Sequence, residues 1–326
     1  MRRTKRTQAV TTIRETDPGA FSHPALFYRD ETSLLAGTVP FVRDGLAAGE
    51  SVAVAVPEAN LGVIERALGS AASQVLLVDM SEAGRNPGRI IPGVLRAFAD
   101  GHDGPVRIIG EPVWPGRTDE EYAACVQHEA LINAAFAGTS TTILCPYDAA
   151  RLAATTLADA EATHPVVIGS DGARTSERFD PDAMLSRHNE PLEAPPDAVS
   201  MGFEVGDLAK ARQVAADFAA EAGLATDRVQ DLTLAVGELT GNSVQHGGGG
   251  GLLRVWADRT HVVCEVEDAG CFTDPLAGRR PVPLHQVGGR GLLLVNHVVD
   301  LVRTHRTADG HVFRVYLRLP EAAAHS

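Results

Sequence analysis

Lysine is almost missing from this chain, which holds Lys5 and Lys210 and no other. A P-loop needs its lysine in G-x-x-x-x-G-K-[ST], and a eukaryotic-type protein kinase needs a strand lysine that holds the nucleotide phosphates. Neither lysine has such a setting, so both classes are excluded. Positive charge is short overall: the net charge is -13 at pH 7, which argues against a direct nucleic-acid partner. The one basic cluster, Arg2, Arg3, Lys5 and Arg6, lies in a polar stretch (residues 1–20) expected to be a flexible tail. No apolar run approaches the roughly 20 residues that span a bilayer, and the N-terminus lacks the apolar core of a secretory signal. A cytoplasmic protein with no membrane partner is expected. Cysteine is scarce too: Cys125, Cys145, Cys264 and Cys271 show no paired metal-ligand spacing and read as free thiols in a reducing compartment.

What is present is ordinary globular composition, with 44% hydrophobic and 22% charged residues, in a chain of 326 residues that is comfortable for two domains. From residue 25 to about 165, short apolar runs alternate with amphipathic segments. Strands are expected at "ALFYR" (25–29), "SVAVAVP" (51–57), "QVLLVDM" (74–80), "VRIIGEPVW" (106–114) and "TTILCPYD" (141–148). Helices are expected over 31–49, 88–101 and 119–138. That alternation predicts an α/β domain with a parallel sheet and helices on both faces. The pattern breaks down over 166–200, where Pro, Asp, Glu and Ser accumulate; this is read as a linker whose first part still packs on the N-terminal domain.

Residues 201–326 read differently. Helices are expected over 207–223 and 225–247, the second opening on Thr226 as N-cap. Strands at 252–258 and 261–268, a loop over 271–287, a helix from about Gly291 and a final hairpin turning at Ala308 to Gly310 complete an α+β two-layer sandwich.

Within the helix 225–247, Glu238, Asn242 and His246 recur every four residues beside the apolar stripe of Leu232, Val236, Leu239 and Ser243. At about 100° per residue they span less than a quarter of the circumference. Such a row can be no more than a solvated helix face. Half-buried, it needs partners, because an unpaired polar group costs on the order of 1–3 kcal/mol, and a ligand could supply them. Two later stretches point the same way. A strand ends in "EVEDAG" (265–270), where Asp268 could read the edge of a base, and "VGGRGLLLV" (287–295) opens a helix with glycines that suit an anion.

On these residues the segment from about Leu208 to Leu319 resembles the ATP-binding domain shared by gyrase, Hsp90, histidine kinases and MutL (the GHKL or Bergerat fold). It is most similar to the RsbW-like branch of anti-sigma factors that are also serine/threonine kinases. "ELTGNSVQH" matches the N-box, "DAG" (268–270) the first glycine box and "GGRGL" (288–292) the second. The resemblance implies ATP and Mg²⁺ as cofactors, with Asn242 as Mg²⁺ ligand, Glu238 as general base and His246 where the branch often has histidine. It implies Asp268 and Gly270 at the adenine, and Gly288, Gly289, Arg290, Gly291 and Leu292 around the phosphates. A mobile lid would carry Arg279 and Arg280. The first box departs from D-x-G-x-G, since Cys271 and Phe272 follow Gly270. The run Gly247 to Gly251 is assigned a purely structural part, ending the helix and turning the chain into the sheet. The partners implied are a sigma factor and a STAS-type anti-anti-sigma protein, and a homodimer is compatible with the family. A histidine kinase needs an acceptor histidine ahead of this domain, but none lies between His188 and His246. Gyrase-like and MutL-like enzymes carry a large transducer domain after the ATPase, so a short stand-alone module is expected. The other readings are a non-catalytic ATP-binding adaptor, from a different class, and a soluble sensor histidine kinase, which would need an unusual acceptor.

Residues 22–165 resemble the MEDS sensory domain, on "HPALFYRD" at the start, "GEPVWPGR" (110–117) and "CPYD" (145–148). Ligands of open parallel sheets bind beyond the carboxyl ends of the strands. Glu111, Trp114, Tyr147 and Asp148 fall there and are candidates for a small-molecule sensor pocket; the alternative is that Trp114 and Tyr147 pack the sheet end while Glu111 caps or pairs locally. Cys125 and His128, one turn apart, are read as core plus surface rather than as a metal site.

Overall fold

The computed structural model describes residues 20–271, 273–282 and 288–320. The basic N-terminal cluster, Phe272 and part of the expected lid lie outside them. The chain divides into two compact units. One draws on Met1–Glu82, Phe98–Arg117 and Ile132–Met184, the other on Ala83–Ala97, Thr118–Leu131 and Leu185–Ser326.

Chain order begins β1 (Pro24–Tyr28), α1 (Glu31–Ala47), β2 (Ser51–Val56), α2 (Glu58–Leu68), β3 (Val75–Asp79), α3 (Met80–Ala83), α4 (Arg96–Ala99) and β4 (Val106–Gly110). It continues α5 (Asp119–Ala135), β5 (Thr141–Asp148), α6 (Ala154–Thr163), β6 (Val166–Gly169), β7 (Gly172–Thr175) and α7 (Pro181–Arg187). The sheet order is β3-β2-β4-β5-β1-β6-β7, parallel except for the β6–β7 edge hairpin. Apolar runs such as Ser51–Val56 form these strands because both sheet faces are covered: Val52 to Val56 are all buried. Phe41 and Val42 of α1 and Ile64 and Leu68 of α2 join Val52, Val54, Ile109 and Leu144 in one core. Helix α1 starts where Asp30 accepts from the Ser33 amide at 2.8 Å while Ser33 Oγ accepts from the Asp30 amide, a reciprocal cap. The first part of the expected linker does pair with the domain, as β6 beside β1, and the sheet is mixed rather than wholly parallel.

The second unit contains β8 (Val199–Glu204), α8 (Leu208–Glu221), α9 (Thr226–His246), β9 (Gly250–Ala257), β10 (His261–Asp268), α10 (Gly291–Val298), β11 (Leu301–Arg306) and β12 (His311–Arg318). Its sheet runs β11-β12-β10-β9-β8 and is antiparallel throughout. Alternation on β10 sorts the faces. Val262, Cys264 and Val266 enter the core with Ala211, Ala215 and Ala219 of α8, Leu232, Val236 and Leu239 of α9 and Val295 of α10. On the other face, buried Glu265 accepts from Arg254 at 2.7 Å and Arg314 at 2.8 Å, and Arg314 lies 4.8 Å from the Trp256 ring centroid. A buried carboxylate is tolerated there because it is paired. Helix α9 differs from expectation in its cap: Ala225 occupies the N-cap with no side-chain bond, and Thr226 is the first helical residue.

Candidate functional site

Helix α9 lies against the sheet with its polar row at the edge of the buried stripe. Leu239 and Ser243 are buried, Glu238 and Asn242 are half-buried, and His246, in the last turn, is exposed. The row meets the second glycine stretch. A Cβ on Gly291 would stand 2.4 Å from Glu238 Oε2 and 3.7 Å from Asn242 Nδ2. Gly288 and Gly289 just ahead have φ of 81° and 79°, a left-handed backbone open to glycine at little cost. Exposed and followed by the N-terminus of α10, they place backbone N–H groups where an anion is favoured. Arg290 is the N-cap of α10 and lines an apolar cavity of about 550 Å³ with Pro92, Val94, Leu293 and Leu294.

Asp268 ends β10, half-buried, with its carboxylate fixed on two sides. Ser243 Oγ donates to Oδ2 at 2.6 Å and the Gly270 amide to Oδ1 at 2.8 Å. Gly247 is packed against it so closely that a Cβ would fall 2.4 Å from Asp268 Cγ, and a Cβ on Gly270 would meet the Gly247 Cα at 2.7 Å. Two contributors were thus not assigned from sequence. Periodicity puts Ser243 in the stripe and composition makes Gly247 a helix stop; the signal for Ser243 is its place next to Asn242, facing the strand that carries Asp268. Leu292 packs with the core and against Gly278, whose own φ is 71°. The expected lid arginines separate. Arg280 is exposed and 3.4 Å from Asp274, whereas Arg279 is buried, with its guanidinium pushed down to about 10 by burial and then by Arg306. Arg279 is therefore turned into the protein, whereas Arg280 faces outward.

In the other unit, strand ends assemble a polar cluster. Glu111, following β4, is fully buried; Tyr28 Oη donates to its Oε1 at 3.1 Å and Asn60 Nδ2 to its Oε2 at 2.8 Å. Burial pushes the Glu111 carboxyl up to about 8, with the nearby Asp148 adding to the rise against the two hydrogen bonds. Burial also raises the Tyr28 phenol. Asp148 ends β5 and accepts from Arg151 Nε at 2.5 Å. Of the four candidates, then, Glu111 and Asp148 share a neighbourhood. Tyr147 alternates to the opposite face, where its ring packs edge-on against Phe27 at 6.0 Å and His164 at 5.6 Å. The Trp114 ring lies under the Arg117 guanidinium at 3.6 Å. Tyr28 and Asn60 join the cluster without having been singled out from sequence. Cys125 and His128 are both buried, so His128 is core rather than surface. All four cysteines are free thiols.

A helix carrying a carboxylate and an amide, a strand-end aspartate and a glycine stretch opening a short helix, over an antiparallel sheet, define an ATPase fold of the GHKL kind. Residues 203–317 match the family described as the histidine kinase-like ATPase domain. Residues 22–165 match MEDS, the methanogen/methylotroph DcmR sensory domain. The chain therefore carries a MEDS domain followed by a histidine kinase-like ATPase domain. No curated protein matches it. Among solved structures it is similar to the RsbU and RsbW domains of Rv1364c from Mycobacterium tuberculosis, at 19% identity and a TM-score of 0.30, over 40% of this chain and 35% of that one. So loose a superposition carries no argument about function. No helix among the described residues is long and apolar enough to cross a membrane.

Proposed function

We propose that the C-terminal domain binds ATP with Mg²⁺ and phosphorylates a serine or threonine of a STAS-type anti-anti-sigma protein. In the same reading it sequesters a sigma factor in the cytoplasm, and the MEDS domain (residues 21–165), joined through 166–200, controls residues 201–326. The carrying observation is the convergence of Glu238 and Asn242 on the Gly291 backbone, in a space that any side chain at 291 would fill. The donor set fits the nucleotide: Asp268 offers carboxylate lone pairs beyond those used by Ser243 and Gly270, suited to an adenine amino group. Gly288 and Gly289 offer backbone donors suited to phosphate. The Asn242 amide oxygen is a hard ligand for Mg²⁺. Mg²⁺, when bound, neutralises phosphate charge. In this reading Glu238 takes the proton of the attacking hydroxyl as its oxygen bonds to the γ-phosphorus and the bond to the ADP oxygen breaks. Arg290, the N-cap of α10, would add charge to the phosphates, and His246 is exposed in the last turn of α9.

The test is calorimetric titration of ATP, with and without Mg²⁺, into the full chain and into Asn242→Ala, followed by phosphotransfer to a STAS-type protein. Mg²⁺-dependent binding is expected to weaken at least about tenfold in the variant, from loss of a metal ligand. Acid-stable phosphate is expected on the partner. A folded wild-type chain that binds no ATP overturns the reading; binding without transfer leaves a nucleotide-dependent adaptor.

A further inference from the structure

The N-terminal unit holds a second concentration of chemistry that neither the ATP site nor the Glu111 cluster uses. His23, just before β1, Cys145 in β5 and His164, between α6 and β6, are each fully buried, with potential ligand atoms within 4.8 Å of one another. Parallel pairing sets Cys145 beside Ala25 and brings β6 to the other side of β1, so residues far apart in the chain meet on one sheet. His23 Nε2 is 3.4 Å from Cys145 Sγ, and the two imidazole centroids are 4.0 Å apart. Ligand bonds of 2.0–2.1 Å to nitrogen and about 2.3 Å to sulfur around a tetrahedral ion put N and S about 3.6 Å apart. The observed separation suits that geometry.

The rings are also held as metal-bound histidines are, through the nitrogen that is not the ligand. His164 Nδ1 lies 2.8 Å from the Ala160 carbonyl oxygen, which can only accept, so Nδ1 carries the proton and Nε2 keeps its lone pair. His23 Nδ1 lies 3.2 Å from Asn133 Oδ1. The Asn133 amide is oriented by its Nδ2, which donates to the Thr163 carbonyl at 2.9 Å, so its oxygen is the face offered to His23. His23 Nε2 is then likewise the lone-pair nitrogen, facing the thiol. A buried S–H···N hydrogen bond would by itself need the same tautomer of His23 but makes no demand on His164, whose lone-pair Nε2 the cation would use.

We propose that His23, Cys145 and His164 bind a d-block cation of borderline softness, with Zn²⁺ as the natural occupant. Two imidazoles and a thiolate are the donor set such ions prefer over Mg²⁺ or Ca²⁺. Binding converts the Cys145 thiol to thiolate and releases its proton to solvent. Full burial means that the ion is acquired as the domain folds and held thereafter. The proposal does not depend on the ATP reading.

The experiment uses the full chain, purified without a metal-chelating tag from cells supplied with Zn²⁺, and measures bound metal by mass spectrometry. About one equivalent of Zn²⁺ is expected. The chain refolded with Co²⁺ is expected to show a near-ultraviolet thiolate-to-cobalt charge-transfer band, lost in Cys145→Ser and retained in Cys271→Ser. X-ray absorption on the wild-type zinc protein, expected to show one sulfur among nitrogen and oxygen ligands, decides the matter should Cys145→Ser fail to fold. A folded wild-type chain that carries no stoichiometric d-block metal and gives no band with Co²⁺ overturns the proposal. So does a band that survives in Cys145→Ser, or a zinc shell without sulfur.

Discussion

At the scale of single residues, glycine decides more of the proposed ATP site than the polar side chains do. The Cβ that Gly291→Ala introduces would lie 2.4 Å from Glu238 Oε2, the far end of a flexible side chain rather than backbone. Glu238 can swing away at little cost to folding, but it leaves the place from which it would take a proton. Gly291→Ala is therefore expected to keep stability within about 0.5 kcal/mol of wild type. Phosphotransfer is expected to fall by about tenfold or more, as displaced catalytic groups do. Urea denaturation beside a turnover assay checks the split, and equal losses in both would contradict it. Gly247 shows the opposite case, because its missing Cβ is what lets the Asp268 carboxylate sit against the end of α9.

At the scale of elements, the turn from α9 into the sheet shows what backbone crowding enforces. A Cβ on Gly250 would stand 2.3 Å from the Phe203 carbonyl oxygen, across the β8–β9 pair. Backbone cannot step aside as Glu238 can, so Gly250→Ala is expected to cost about 1–3 kcal/mol, with faster amide exchange in β8 than in β12. Strand β10 was legible to the residue in "HVVCEVED", because one face enters the core and the other carries paired charge. Strand β8 was not: an edge strand with mostly exposed residues and Gly202 in its middle lacks the alternation that burial imposes. The β6–β7 hairpin hid in the same way behind four-residue strands. The Glu238–Asn242 row could be read because helical period brings neighbours together locally. The His23, Cys145 and His164 cluster could not, since sheet order rather than spacing assembles it. Tyr28 and Asn60 escaped notice around Glu111 for the same reason.

At the scale of the molecule, Glu111 ties stability to pH. An unfolded glutamate titrates near 4.3, while burial holds the folded group at about 8. Between those values the native state binds more protons than the unfolded one. The stabilisation is full below the lower value and is lost as pH rises through the upper one, by up to about 1.4 kcal/mol per pH unit. Urea denaturation of the full chain from pH 5 to 9 is expected to show that decline, and Glu111→Gln to flatten it; a variant with the wild-type slope would place the proton elsewhere. The interleaving of the two units carries a consequence in time. The ribosome releases every residue of the first unit by Met184, whereas Ala83–Ala97 and Thr118–Leu131 emerge early but belong with a sheet whose last strand is made at the very end. Those two segments must wait for their partners, so a nascent chain stalled just before β12 holds every residue of its first unit and lacks the last strand of its second.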